Sequence, residues 1–111
     1  MKSKNLDINA ARLLVSHQTE LRAAVSRAPR SGECMVLFYR IEEGGEGAKK
    51  KIQFYELKLA NEAKGRIFKS LDAAVNAIFD GVKLPLCHVF NADMEQTKAE
   101  ILKRFDAEER R

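Results

Sequence analysis

The clearest pattern of apolar and polar positions lies between residues 66 and 81. Residues 66–69 predict a short strand, and apolar side chains then recur every three to four residues, as on one face of a helix. Ser70 is placed to cap the first turn of this helix, and Gly81 is placed to end it in a left-handed conformation. The predicted buried stripe consists of Leu71, Ala74, Val75, Ile78 and Phe79.

The same helical period runs through residues 7–28. Asp7 can cap the start of this segment, and the breaker cluster at residues 29–32 should end it. The sequence therefore predicts one long first helix after a flexible start at residues 1–6. The apolar side of that helix would carry Ala10, Leu13, Leu14, His17, Leu21, Ala24, Val25 and Ala28.

Residues 34–41 and 50–59 are rich in β-forming side chains, and a glycine-rich stretch separates them, which predicts a hairpin. We expect Phe38 to lie opposite Phe54. Because side chains alternate along a strand, this register makes both faces of the hairpin apolar. One face would carry Val36, Phe38, Ile52 and Phe54, and the other Met35, Leu37, Tyr39, Ile41, Tyr55, Leu57 and Leu59.

Residues 86–90 predict a fourth strand, and Asp93 is placed to cap a last helix with Gln96 three residues further on. Within that helix Glu100 and Arg104 have the spacing of an ion pair. The predicted fold is one α+β domain over residues 7–105, in the order α-β-β-β-α-β-α, with a mainly antiparallel four-stranded sheet packed by helices. Residues 106–111 are expected to form a solvated tail.

The composition of the 111 residues, 45% hydrophobic and 32% charged, is typical of a single soluble domain. No apolar run approaches the roughly 20 residues that a membrane span needs. The basic N-terminus is not followed by the apolar segment of a signal peptide, so we expect a cytoplasmic protein without membrane contact. In that reducing compartment Cys34 and Cys87 should be free thiols.

No set of residues predicts catalysis. Cys87 and His88 are adjacent in a predicted strand, so their side chains point to opposite faces and cannot easily share a metal ion or a proton. Residues 44–47 are glycine-rich, but they lack the Lys-Ser/Thr ending of a phosphate-binding loop and lie at a hairpin tip. We therefore expect no enzyme, no metal and no cofactor.

The positive charge is concentrated near the N-terminus. Residues 1–30 carry six lysines or arginines against two acidic residues, which accounts for the whole net charge of +4. Lysines at the start of the second hairpin strand could bind phosphate, or could protect a sheet edge from aggregation. A nucleic-acid-binding regulator, such as a repressor or an antitoxin, is therefore the second hypothesis for function. Its contacts would be Lys2, Lys4, Arg12, Arg22, Arg27, Lys49, Lys50 and Lys51.

Residues 66–74 read Arg-Ile-Phe-Lys-Ser-Leu-Asp-Ala-Ala and follow a predicted helix and hairpin. This arrangement, over about residues 10–92, resembles the ParC-type partition-associated proteins that plasmids and integrative elements encode. The resemblance implies a non-enzymatic accessory of plasmid partition that acts through a ParA-type ATPase or the DNA-bound partner of that ATPase.

The two-sided apolarity of the predicted sheet adds to this resemblance. Together they make a protein-binding homodimer of plasmid maintenance the first hypothesis for function. One sheet face with a basic rim would form the interface, because aromatic residues and arginine are enriched in such patches. The alternative is that helices of the same chain cover this face. The predicted interface residues are Val36, Phe38, Arg40, Ile52, Phe54 and Lys58.

Overall fold

The computed structural model describes residues 3–17, 20–42, 50–58 and 65–109. Within these residues three α-helices and one π-helical segment pack on a six-stranded mixed sheet. The predicted α+β class is confirmed, but the sheet has six strands instead of four. In chain order the elements are β1 (Ser3–Leu6), α1 (Ile8–Ser16), β2 (Arg22–Arg27), β3 (Cys34–Glu42), β4 (Lys51–Leu57), β5 (Ile67–Phe68), α2 (Leu71–Asn76), the π-helical segment (Ala77–Val82), β6 (His88–Phe90) and α3 (Met94–Glu109).

The strands lie in the order β1-β4-β3-β2-β6, and β5 pairs with the start of β3. β3 is antiparallel to each of its three partners, β2, β4 and β5. The pairs β1–β4 and β2–β6 are parallel, which makes the sheet mixed. β1 and β6 are therefore the outer strands of the described sheet.

The predicted first helix is correct only in its first half. Asp7 does cap α1, where its Oδ1 accepts a hydrogen bond from the Ala10 amide at 2.7 Å, but the helix ends at Ser16. Residues 22–27 instead form β2, a central strand between β3 and β6. All four inner residues of β2 are buried. A strand covered on both faces shows no alternation, so its short apolar run fits a helical stripe equally well.

The start of the chain also differs from the expectation. Residues 3–6 were expected to be flexible, but they form β1 and extend the sheet beyond β4. The Leu6 carbonyl then accepts a hydrogen bond from the Lys58 amide at 3.0 Å. The sequence carries no hairpin signal for β1, because a strand that pairs in parallel has its partner at a distance in sequence.

The hairpin of β3 and β4 is displaced by one residue from the predicted register. Phe38 lies opposite Tyr55, and Tyr39 lies opposite Phe54. Because the side-chain period of a strand is two, this shift moves every β4 side chain to the opposite face. The prediction that Phe38 pairs with Phe54 is therefore wrong.

Helices of the chain cover both faces of the sheet. The first face packs against α1, α2 and the π-helical segment, and its strand residues include Val36, Phe38, Tyr55 and Leu57. The second face packs against α3, and its buried cluster consists of Ala24, Leu37, Tyr39, Phe54 and Ile101. The two apolar faces predicted from the sequence exist, and each is closed within one subunit.

The segment after β5 has the predicted start and a different end. Ser70 caps α2, and its Oγ accepts a hydrogen bond from the Ala73 amide at 3.1 Å. The left-handed residue is Lys83, with φ 69°, and not Gly81. Gly81 lies inside the π-helical segment, where its carbonyl accepts a hydrogen bond from Arg12 Nε at 2.8 Å. A Cβ at Gly81 would lie 3.4 Å from Ile8 Cγ2, which is close to an ordinary van der Waals contact, so the packing of α1 does not by itself require a glycine here.

The last helix is anchored by a buried lysine. Asp93 caps α3 as predicted, with its Oδ1 accepting a hydrogen bond from the Gln96 amide at 2.8 Å. Lys98 is 2% exposed, and its Nζ lies 3.1 Å from Glu56 Oε2 on β4 and 3.4 Å from Glu95 Oε1. α3 continues to Glu109, past the predicted start of the tail. None of the described helices has the length and apolar character needed to cross a membrane.

Candidate functional site

The six residues predicted to form an interface do not share one surface. Val36, Phe38 and Phe54 are at most 2% exposed, because helices of the same chain cover them. The register shift also separates them, since Val36 and Phe38 belong to the first face and Phe54 to the second. Ile52 is half-buried beside Phe54. The alternative that the sequence left open, cover by the chain's own helices, is the one found for these residues.

The two basic residues predicted for the rim lie at opposite ends of the hairpin. Arg40 lies near the end of β3, where its Nη2 is 3.1 Å from Glu42 Oε1 and its guanidinium carbon is 5.9 Å from the centre of the Tyr55 ring. Lys58 follows the end of β4 and forms a bridge with Gly65. These positions cannot flank one compact patch.

The predicted nucleic-acid contacts are dispersed over the molecule. Arg22 and Lys51 each begin a strand at one end of the sheet, whereas Arg27 ends β2 at the other end. Arg12 lies on α1 and is held by its bond to the Gly81 carbonyl. Lys2 and Lys49 lie outside the described residues, and the remaining two, Lys4 and Lys50, are exposed. The described part of this set does not form the continuous basic stripe that is typical of nucleic-acid binders.

Two exposed apolar side chains lie at β6, the outer strand on one side of the sheet. Leu86 is 66% exposed and Val89 is 48% exposed, although both side chains are apolar. β6 pairs with β2 on one side only, so its other side carries backbone groups that no described strand takes up. We call Leu86, Val89 and this outer side of His88–Phe90 the β6 edge.

A recess of about 420 Å³ lies beside the β6 edge. One wall is the connection that leads into β6, and the other is formed by the starts of β2 and β6 with Tyr39 of β3. Arg22 and His88 supply its polar groups. The lining residues are Leu21, Arg22, Ala23, Tyr39, Leu84, Pro85, Leu86 and His88.

A second cavity lies between α3 and the second face of the sheet. We call this space, of about 160 Å³, the α3 groove. Its residues come from β2, β3, β4, β6 and α3, so no local motif in the sequence could have indicated it. They are Arg22, Tyr39, Ile41, Ile52, His88, Phe90, Ile101, Arg104 and Phe105.

Cys34 and Cys87 are free thiols, as predicted. Cys34 is fully buried, and burial raises the pKa of its thiol, an effect that the positive charge of Arg27 partly offsets. Burial likewise raises the pKa of Cys87. Both thiols are thus protonated and weakly nucleophilic near neutral pH. In the part of the chain that the structure describes, no three His, Cys, Asp or Glu residues are grouped so as to hold a metal ion.

The segment that carries the family resemblance is a well-defined structural unit. Residues 67–68 form β5, Ser70 caps α2, and the Arg66 guanidinium carbon lies 4.5 Å from the centre of the Phe68 ring. Comparison of the chain with protein-family models, curated proteins and solved structures finds no match. The resemblance to ParC-type proteins therefore stays a prediction that rests on residues 66–74.

Proposed function

We propose that this chain is a non-enzymatic binding protein that recognises a protein partner through the β6 edge. The observation that carries the proposal is the exposure of Leu86 and Val89, at 66% and 48%, beside the outer strand of the sheet. Exposed apolar side chains next to strand backbone that can accept another strand are a common basis for protein recognition.

The β6 edge offers two kinds of contact. Its backbone can accept one more strand, as in complexes where a peptide adds to an open sheet edge. The neighbouring recess can take an apolar side chain between Leu84, Pro85 and Leu86, which is the arrangement of an interface hot spot. Arg22 and His88 at the same recess favour an acidic partner segment.

The family resemblance supplies the proposed identity of the partner. ParC-type proteins serve plasmid partition, and the resemblance of residues 66–74 implies contact with a ParA-type ATPase. The proposal includes the homodimer expected from the sequence. Because one β6 edge cannot hold the partner and a second copy at the same time, we propose that the two copies meet through a different surface.

Replacing one exposed leucine tests this proposal against a matched control. Leu86→Glu places a charge at the β6 edge, whereas Leu13→Glu makes the same change on α1, where Leu13 is 59% exposed. We expect Leu86→Glu to weaken partner binding at least about tenfold, the equivalent of about 1.4 kcal/mol, and Leu13→Glu to leave it unchanged. The measurement is biolayer interferometry against the purified ParA-type ATPase of the same replicon.

Light scattering on the same three proteins tests the homodimer. We expect a dimer for the unchanged chain and for both variants, and a monomeric unchanged chain would contradict the proposed dimer. The proposal fails if the unchanged chain does not bind the ATPase, or if the two variants lose binding equally. Circular dichroism of both variants shows that a lost interaction is not lost folding, since both leucines are on the surface.

A further inference from the structure

We propose that the α3 groove is a binding site for a small aromatic carboxylate. It is lined on one side by the second face of the sheet and on the other by Ile101, Arg104 and Phe105 of α3. The inference goes beyond the proposed function, because the site lies on the face of the sheet that α3 covers and not along the outer side of β6. It shares Arg22, Tyr39 and His88 with the recess beside the β6 edge, whereas Ile52 and Arg104 belong to the groove alone.

The charge of the groove selects an anion. Arg22, His88 and Arg104 lie among its lining residues, and no acidic side chain does so in the described part of the chain. Guanidinium groups bind carboxylates through two parallel hydrogen bonds, a geometry that lysine cannot provide. A bound carboxylate would therefore find two matching donors, from β2 and from α3.

The two arginines are available for such a ligand. The spacing of Glu100 and Arg104 predicts an ion pair, but among the described residues the ion pairs involve Arg40 and Lys98 instead. The Arg104 guanidinium carbon lies 5.2 Å from the centre of the Phe90 ring, which holds the group at the groove. Neither the Arg22 nor the Arg104 side chain has a hydrogen-bonding partner among the described residues.

The lining of the groove favours a ligand whose uncharged part is apolar. Six of the nine lining residues are apolar or aromatic: Tyr39, Ile41, Ile52, Phe90, Ile101 and Phe105. A cavity of roughly 150 Å³ with such a lining is large enough for one benzene ring. The α3 groove, at about 160 Å³, matches that size, whereas a nucleotide would not fit. A single ring that carries one carboxylate satisfies the size, the lining and the charge together.

The test compares two probes of the same shape and different charge. Benzoate carries the carboxylate, and benzamide replaces it with a neutral group. In amide-resolved NMR titrations of the full chain we expect saturable shifts at β2, β6 and α3, with benzoate binding about tenfold more tightly than benzamide. Equal affinity for the two probes, or no saturable shift at millimolar benzoate, would overturn the proposal.

Three arginine variants separate the site from general charge. Arg22→Gln and Arg104→Gln should each weaken benzoate binding about five- to tenfold, because each removes a charge-assisted pair. Arg27→Gln is the matched control, since Arg27 is an exposed arginine at the other end of β2. An equal loss in the control would show a nonspecific effect of net charge and would overturn the proposal.

A filled groove provides a test that does not depend on charge. Ile52→Phe enlarges a half-buried side chain at the groove, so we expect it to abolish benzoate shifts while the remaining NMR spectrum stays folded. Ile67→Phe is its control, because Ile67 is 57% exposed, lies on β5 and is not among the residues that line the groove. Benzoate binding that survives Ile52→Phe unchanged would place the ligand elsewhere and contradict the proposal.

Discussion

Cys34 and Cys87 lie at different depths in the fold, and the difference should set their reactivity. Cys34 is fully buried in the core of the first face, with its Sγ 3.5 Å from the Gly32 carbonyl oxygen. Cys87 is half-buried in the connection before β6. A reagent can therefore reach Cys87 in the folded state, whereas it reaches Cys34 only when the core opens.

We expect iodoacetamide to modify Cys87 first and Cys34 only on addition of denaturant. Burial raises the pKa of both thiols above the ordinary 9.0, so the alkylation rate of Cys87 should still be rising above pH 9. For the same reason the contribution of these two thiols to stability should be fully present well below pH 9 and should be lost as the pH rises above 9, because the unfolded chain loses these protons first. Mass spectrometry of the digested protein follows each site, and equal rates at the two thiols would contradict their described burial.

Single residues that act locally were predictable from the sequence. Asp7, Ser70 and Asp93 each cap the helix that the pattern assigned to them, because a cap depends only on the side chain and the next turn. Gly81 shows the limit of this reasoning. A glycine after a helical stripe indicates a left-handed end, but here Gly81 lies inside the π-helical segment and the left-handed residue is Lys83.

At the scale of elements, α3 is held on the sheet by one buried charge. Lys98 is 2% exposed, and its ammonium group lies between Glu56 of β4 and Glu95 of its own helix. The Glu56 side chain is 23% exposed and that of Glu95 is 69% exposed. Glu56, the partner on the sheet, should therefore offset most of the free-energy cost of burying the Lys98 charge.

We expect Glu56→Gln to lower the free energy of unfolding by about 1–3 kcal/mol, because it leaves Lys98 buried with a weak partner. Glu95→Gln, the matched control on the helix, should change it by less than about 0.5 kcal/mol, since an exposed pair is screened by water. Urea unfolding followed by circular dichroism measures both values. Equal losses in the two variants would show that the sheet partner is not the dominant one.

β2 explains why one element of the fold was mispredicted. Ala23, Ala24 and Val25 lie in a strand that is buried on both faces and paired on both sides, so the period of two is absent. The helical period of residues 7–16 continues into this run by coincidence. Only the tertiary structure, with α1 and α2 above and α3 below, distinguishes the two interpretations.

At the scale of the molecule, the two apolar sheet faces were predictable and their cover was not. Alternation along β3 and β4 shows that both faces avoid water, but it does not say whether a helix of the same chain or a partner covers them. The pattern also does not determine the strand register to within one residue, because aromatic doublets such as Phe38-Tyr39 satisfy either alignment. The predicted interface therefore fell on core residues, whereas the β6 edge and the α3 groove arise from strands and helices that are distant in sequence.

Nuclear Overhauser contacts between aromatic and methyl protons test most directly whether the chain closes both faces of its own sheet. In the free protein we expect Phe38 to contact Ala74 and Ile78, and Phe54 to contact Ile101. Phe38 and Phe54 should show no contact with each other, because they lie on opposite faces. A strong Phe38–Phe54 contact without contacts to the helices would contradict the fold. It would instead support the prediction that a partner binds an open face of the sheet.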